Sequence, residues 1–324
     1  MLLITGVALY FVGPSLLEVL GSWDQVSQLE WWWFALAIAV HAMSFACLWA
    51  LQRIALRTNA WLPVITSQLA GNVAARLLPG GPTAGAAAQF TFLRTAGIST
   101  STATSGLTAA GILQLGTTLA LPLIALPAVI LGAPAPRSLL TAAWLGAALF
   151  AVLLAFAIAV FIDDRPLTWI GRLIDSIRRS LRFLRTPRSA TAKMLLAERD
   201  ALRGGLDTRW TRAVVFAVSR ALFDYLTLIV AIAAFGVEAR PSLVLLAFAA
   251  AALLALIPLT PGGLGFVEAG LTGTLALAGL SPAEAVSAAL LYRLVSFWLP
   301  LPIGVAAGVF HRAHYGGAAS PQPQ

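Results

Sequence analysis

Five ionisable side chains stand within the apolar stretches of this chain: Arg76, Arg220 and Arg293, against Asp224 and Glu268. A charge at mid-bilayer costs at least ~2.5–3.5 kcal/mol on insertion scales, so each needs a partner or a purpose. Arg293 lies twelve residues past Ser281, roughly 18 Å along a helix that rises about 1.5 Å per residue. Arg76 stands three residues before Pro79, and Glu268 seven after Pro261. Three guanidiniums against two carboxylates leave one excess positive charge. Arginine's planar fork suits a phosphate far better than a cation, and half-helix N-termini nearby would add partial positive charge.

Each of these charges also has a plain structural reading. Arg220 and Asp224 are four apart on one helix face, the spacing of an ion pair that neutralises itself. Arg293 and Glu268 can bridge one another and pin two segments together. Arg76 can snorkel to the cytoplasmic interface. His41 and Gln114 are lone polar residues on apolar helices, where packing roles are common. Gln68 and Asn72, at i and i+4, share one face of the first broken segment. Gly80, Gly81, Gly262, Gly263 and Gly265 serve either tight turns or the wall of a cavity beside the charges.

The elements that position these residues carry an internal repeat. Leu78-Pro79-Gly80-Gly81 recurs as Thr260-Pro261-Gly262-Gly263, an offset of 182 residues from Pro79 to Pro261. The same offset pairs Leu93 with Leu275 and Ala96-Gly97-Ile98-Ser99 with Ala278-Gly279-Leu280-Ser281. It also places Ala103 on Ala285 and Ser105 on Ser287. Paired Gly/Pro interruptions in two halves of a membrane chain point to a transport site. Composition requires lipid as solvent: 59% of residues are hydrophobic, 10% are charged, and the mean hydropathy is +0.87. Runs near 2–20, 31–52, 103–131, 138–162, 211–235 and 283–310 can each cross roughly 30 Å of hydrocarbon. The stretches 61–95 and 242–279 are broken mid-way, leaving arms shorter than the ~20 residues a span needs. They read as re-entrant hairpins. The expected fold is an all-α polytopic membrane protein, about six full spans plus two re-entrant broken-helix hairpins in an inverted repeat.

Orientation follows the arginines. Twelve of the 21 basic residues fall in one block, Arg165 to Arg212, the positive-inside signature. Arg53 and Arg57 mark a cytoplasmic helix end, whereas Glu18, Asp24, Glu30 and the Trp31-Trp32-Trp33 anchor mark an outer one. On this reading both termini are cytoplasmic and the two halves run in opposite directions. The domains are then a first membrane half (1–162), a basic amphipathic segment (163–210), a second membrane half (211–310) and a cytoplasmic tail (311–324). The first apolar run, lacking a basic n-region and a cleavage site, is expected to be a retained span of a plasma-membrane protein. A net charge of +8 concentrated in that loop suits anionic lipid headgroups rather than nucleic acid. Cys47 is the single cysteine, so neither a disulfide framework nor a thiolate metal site is expected. Ser281-Pro282-Ala283-Glu284 is a capping box that starts a helix.

No phosphate-binding loop, dinucleotide fingerprint or catalytic triad pattern occurs, so neither an enzyme nor a cofactor is expected. The run Pro258 to Glu268, then Leu291-Tyr292-Arg293 and Phe297-Trp298-Leu299-Pro300, together with Ala75-Arg76-Leu77-Leu78-Pro79-Gly80-Gly81, resembles the transmembrane region of lysylphosphatidylglycerol synthases/flippases. The resemblance covers essentially the whole chain. It implies a flippase-like membrane architecture with two opposed re-entrant elements. It also implies a site built from Arg76, Pro79, Gly80, Gly81, Pro261, Gly262, Gly263, Gly265, Glu268, Tyr292 and Arg293, with Arg220, Asp224 and Asn72 beside it. Members that make the aminoacylated lipid carry a large aminoacyl-transfer domain, and a chain without synthase activity is expected here. Two readings follow: translocation or binding of an anionic, phosphate-bearing lipid, or an accessory protein docking a glycosyl- or aminoacyl-transferase on its basic face.

Overall fold

The computed structural model describes residues 30–78, 80–130, 208–255 and 265–316, with isolated positions between 137 and 168. The expected span at 2–20, most of the one at 138–162, most of the basic segment, and Pro79, Pro261, Gly262 and Gly263 lie outside the described residues. The chain falls into two compact units, residues 1–147 with 213–324 and residues 148–212. The packing that positions the charged residues belongs to the first.

Among the described residues, nine α-helices follow in order. They are α1 (Trp31–Ala55), α2 (Trp61–Leu77), α3 (Pro82–Thr95), α4 (Thr100–Ile130), α5 (Thr208–Ala233), α6 (Pro241–Leu254), α7 (Phe266–Leu277), α8 (Pro282–Arg293) and α9 (Pro300–Tyr315). A π-helical turn, Leu294–Trp298, joins α8 to α9. Among the described residues, four stretches are long and apolar enough to cross a membrane: Trp31–Ala55, Thr100–Ile124, Arg209–Ala233 and Pro282–Tyr315. The two interrupted segments form helix pairs, α2 with α3 and α6 with α7. Their arms of 17, 14, 14 and 12 residues reach at most about 25 Å at 1.5 Å per residue. None spans alone.

Glycine draws α2 and α3 together. A Cβ on Gly85 would sit 2.5 Å from Ala75 Cβ and 2.8 Å from the Gly71 carbonyl oxygen, and one on Gly71 would sit 2.9 Å from Gln89 Cβ. The backbones therefore approach as closely as small residues allow, the packing that lipid-embedded helices use in place of a hydrophobic drive. Gly304 does the same for α9 against α2, where a Cβ would meet the Leu69 carbonyl oxygen at 2.5 Å.

The internal repeat is present in the backbone itself. Helices α3 and α7 end at Thr95 and Leu277, equivalent at the 182 offset. Gly97 (φ +85°) and Gly279 (φ +105°) then adopt the left-handed turn. Ile98 N–H donates to Leu93 O at 3.1 Å and Leu280 N–H to Leu275 O at 3.2 Å, the 6→1 bond of a Schellman cap. Leu93, Leu275, Ala103 and Ala285 are all fully buried. The Ser281 capping box forms as its sequence requires, with Ser281 N–H donating to Glu284 Oε2 at 2.8 Å. Its counterpart Ser99 accepts from Thr102 N–H at 3.2 Å.

Two features depart from expectation. The run 283–310 is not one continuous α-helix, for a reason written in Pro300 and Pro302. Ser296 O and Trp298 O look four residues ahead for an N–H, and a proline stands at each place. The helix widens there, with Leu299 N–H donating to Leu294 O at 2.9 Å. The last helix also continues to Tyr315, past the expected boundary of the tail. His311 is fully buried, 2.6 Å from Thr66 Oγ1 through Nδ1 and 2.8 Å from Phe92 O through Nε2. It ties the end of α9 to both arms of the first helix pair.

Candidate functional site

A cavity of about 600 Å³ opens among α1, α2, α3, α4, α5, α8 and the π turn. Three guanidiniums line it: Arg76 from α2, Arg220 from α5 and Arg293 from α8. So do Asn72, Asp224, Tyr292 and Ser296. Helical periodicity explains how polar groups from apolar helices converge. Residues 41, 44, 48 and 52 on α1, and 68, 72 and 76 on α2, each form one stripe, and both stripes face the cavity.

Arg293 and Glu268 meet. Arg293 Nε donates to Glu268 Oε1 at 2.7 Å, and Nη2 lies 2.6 Å from the same oxygen. Both residues are more than nine-tenths buried. Both nitrogens crowd one oxygen, and Glu268 Oε2 and Arg293 Nη2 are each left buried with no hydrogen-bond partner. The pair is therefore not the closed two-by-two fork that a purely structural Arg–carboxylate bridge favours. Glu268 stands behind Arg293, and Arg293 itself borders the cavity.

Arg76 does not snorkel. Its Nη2 donates to Ser296 O at 2.8 Å and its Nη1 to Phe297 O. These are carbonyls of the π turn, and Ser296 O is one that Pro300 strips of its helical donor. The side chain thus caps a helix break on another element. Both Arg76 and Arg293 also stack on the Phe297 ring, at 4.6 and 4.3 Å from its centroid. One aromatic ring thus contacts two guanidiniums, a cation–π arrangement that strengthens where water is excluded.

The ion pair expected between Arg220 and Asp224 does not form among the described residues. Asp224 is drawn across the cavity instead. Its Oδ1 accepts from Tyr292 OH at 3.0 Å and lies 3.6 Å from His41 Nδ1. Gly80 (φ +106°), Gly81 (φ +52°) and Gly265 (φ +76°) hold backbone turns that side chains disfavour. They do not line the cavity, whereas Ala75, Arg76, Pro82 and Gly85 on either side of the first break do.

Sequence reasoning passed over several lining residues. Gln89 Nε2 donates to Gln52 Oε1 at 2.8 Å, both buried; Gln68, singled out with Asn72, accepts from Trp49 Nε1 at 3.0 Å through Oε1. Ser44, Thr118 and Ser296 also face the space. The stripe His41, Ser44, Gln52 was the available signal, because spacings of three and eight return to one helix face.

The comparisons with known proteins agree with this architecture. The family described as the lysylphosphatidylglycerol synthase TM region matches residues 1–304. Two proteins of Methanothermobacter thermautotrophicus, each named a UPF0104 membrane protein, are similar to parts of the chain. One is 29% identical over 182 residues, 51% of this chain and 52% of its own length. The other is 35% identical over 83 residues, 26% of this chain and 25% of its own length. The chain thus spans about half or less of the length of the curated relatives it matches. No solved structure matches it. With a match over nearly its full length, this chain belongs to the lysylphosphatidylglycerol synthase transmembrane-region family of membrane proteins.

Proposed function

We propose that this protein holds the phosphate of an anionic lipid in its guanidinium-lined cavity and passes the headgroup between the leaflets of the plasma membrane. The observation that carries the reading is charge. Three arginines border one cavity among apolar helices, with Asp224 the carboxylate beside them and Glu268 tied to Arg293 behind it. A guanidinium about 4 Å from a phosphate oxygen gains roughly 4 kcal/mol at an effective dielectric near 20, before desolvation. A cationic headgroup would lose on the same terms. A volume of about 600 Å³ lies within the range of small-ligand sites and leaves the acyl tails outside, in lipid.

The two Pro-Gly-Gly hairpins would enter from opposite faces, with both termini and the basic segment cytoplasmic. Rocking of the two repeats would expose the cavity to each side in turn. The protein acts by transport and needs no cofactor.

The test is reconstitution of the purified chain in vesicles with tail-labelled fluorescent phosphatidylglycerol or phosphatidylcholine, read by dithionite quenching. Loss of the protected inner-leaflet pool, faster for phosphatidylglycerol, is the expected result. No acceleration over empty vesicles for any anionic lipid would overturn transport and favour a transferase-docking role. Cysteine labelling at Ala60 and Ser242 should report the inner and outer faces; labelling of both from one side removes the inverted arrangement.

A further inference from the structure

The cavity holds one ionisable constellation that neither packing nor phosphate binding explains. His41 of α1 is 8% exposed, and its Nδ1 is buried with no hydrogen-bond partner. That nitrogen lies 3.6 Å from Asp224 Oδ1, too far for a hydrogen bond and close enough to become one with a small shift. Phe45 packs edge-on against the imidazole, with ring centroids 5.3 Å apart. Asp224 is fixed by Tyr292 OH at 3.0 Å. An imidazole nitrogen and a carboxylate oxygen therefore face each other at a separation that one shared proton can bridge.

We infer that His41 and Asp224 form a proton-binding site on the cavity wall, and that a proton taken up there strengthens binding of a phosphate headgroup. The inference rests on reading the cavity as an anion site. The charged and titratable groups facing the pair are Tyr292 and Arg293 from α8, Arg76 from α2 and Arg220 from α5, with Glu268 already tied to Arg293. Among the described residues, Asp224 itself is the carboxylate that borders the space directly. Its negative charge opposes an incoming phosphate. A proton from water, shared between His41 Nδ1 and Asp224 Oδ1, cancels that opposition and closes the gap with a charge-assisted hydrogen bond. Linkage makes the effect reciprocal: the anion recruits the proton as strongly as the proton recruits the anion. A headgroup that crosses together with its proton moves one negative charge less, and a proton gradient then biases its direction. Ionisable chains inside membrane proteins serve as such relays.

The experiment uses the full chain in detergent and dioctanoyl-phosphatidylglycerol, titrated calorimetrically between about pH 5.5 and 8. A phosphodiester keeps a constant charge over that range while an imidazole titrates. Affinity should rise as pH falls, by up to about tenfold per pH unit, the ceiling for one linked proton. Repeating the titration in buffers of different ionisation heat should show close to one proton taken up per lipid on the steep part of the curve. Asp224→Asn and His41→Gln should each flatten the pH dependence, and Asp224→Asn should bind at high pH as wild type does at low pH. His311 and His314 lie outside the cavity and stay in place in both variants, so a flattened curve assigns the proton. Wild-type binding that is tight but independent of pH, or variants that keep the wild-type slope, would overturn the inference while leaving the anion site standing. No binding at any pH would remove both. The wild-type proton count decides the matter even if a variant fails to fold.

Discussion

The two repeats share a backbone and differ in chemistry. At the 182 offset, the Schellman caps at Gly97 and Gly279, the buried Leu93 and Leu275, and the Ser99 and Ser281 helix starts coincide. The side chains facing inward do not. Gln68 corresponds to Ala250, Asn72 to Leu254 and Gln89 to Leu271. The second helix pair packs into a continuous apolar core with α5, including Leu246, Phe248, Leu271 and Leu275. The first turns its amides toward the cavity. On α4, and on α8 with the π turn, the relation reverses: Gly111 and Gln114 occupy the places of Arg293 and Ser296, and all four line the same space. A duplication thus supplies the symmetric frame, and divergence sets polarity on one side of it and room on the other. Exchanging residues across the offset tests which differences matter.

The largest effect is expected at Gly85, whose counterpart is Val267. Gly85→Val makes the first pair resemble the second. Its Cβ would stand 2.5 Å from Ala75 Cβ and 2.8 Å from the Gly71 oxygen, and backbone cannot yield as a flexible side chain can. The cost should reach about 3 kcal/mol or more, seen as loss of folded protein in detergent or a large drop in thermal midpoint. Near-wild-type stability would mean that the close approach of α2 and α3 is not a requirement of the fold.

Next comes the Arg293–Glu268 pair. Arg293→Met leaves a buried carboxylate unpaired, a loss of about 3–5 kcal/mol. The exchanged double variant Glu268→Arg with Arg293→Glu should recover most of that stability. It should not recover phosphatidylglycerol binding, which we expect to stay at least about tenfold weaker, because the guanidinium no longer borders the cavity. Arg293→Lys should recover part of it, keeping charge without the fork. Full activity of the exchanged pair would make it a structural bridge.

How much of this was legible beforehand depends on the kind of order involved. The repeat, the capping box and the buried charges follow from local pattern, since Gly-φ preferences, caps and the cost of a charge in lipid act within a few residues. Arg293 with Glu268 was foreseeable because two opposite charges at depth must find each other. The partners of Asp224 were not. An i,i+4 neighbour predicts an ion pair, but side-chain reach across the cavity to Tyr292 and His41 depends on helix packing that no local pattern encodes. Arg76 illustrates the same limit. Its targets are two main-chain carbonyls, one of which, Ser296 O, loses its helical donor to Pro300, 224 residues away, and the signal was that proline rather than any charge.

That pairing yields a smaller, sharper prediction. Arg76→Met removes two charge-assisted hydrogen bonds to the π turn, at Ser296 O and Phe297 O, and should cost about 2–3 kcal/mol. Pro300→Thr, which imports the residue found at the equivalent Thr118, returns an N–H to Ser296 O. In the Arg76→Met background it should restore about 1 kcal/mol, and in the wild type it should gain little. A double-mutant cycle measures the difference. Additive effects would show that Arg76 does not cap the break. Stability recovered without recovery of lipid binding would separate its capping role from its charge.

The smallest effect concerns the buried amides. Gln89 donates to Gln52 at 2.8 Å, and the equivalent places in the second repeat are Leu271 and Ala234. Gln89→Leu alone strands the Gln52 carbonyl and should cost about 1–2 kcal/mol. Adding Gln52→Ala removes the stranded group, and stability should return close to wild type, because replacing both partners by apolar groups is nearly neutral. The double variant is then a well-folded protein whose first repeat is as apolar at this point as its second. If the headgroup reaches the α1–α3 face, losing one or two neutral hydrogen bonds should weaken phosphatidylglycerol binding about five- to thirtyfold at roughly 1 kcal/mol each. Arginine-only recognition predicts no change. Unaltered affinity would place the phosphate entirely against Arg76, Arg220 and Arg293, and would reduce the polar face of the first repeat to a packing solution for two glutamines that satisfy each other.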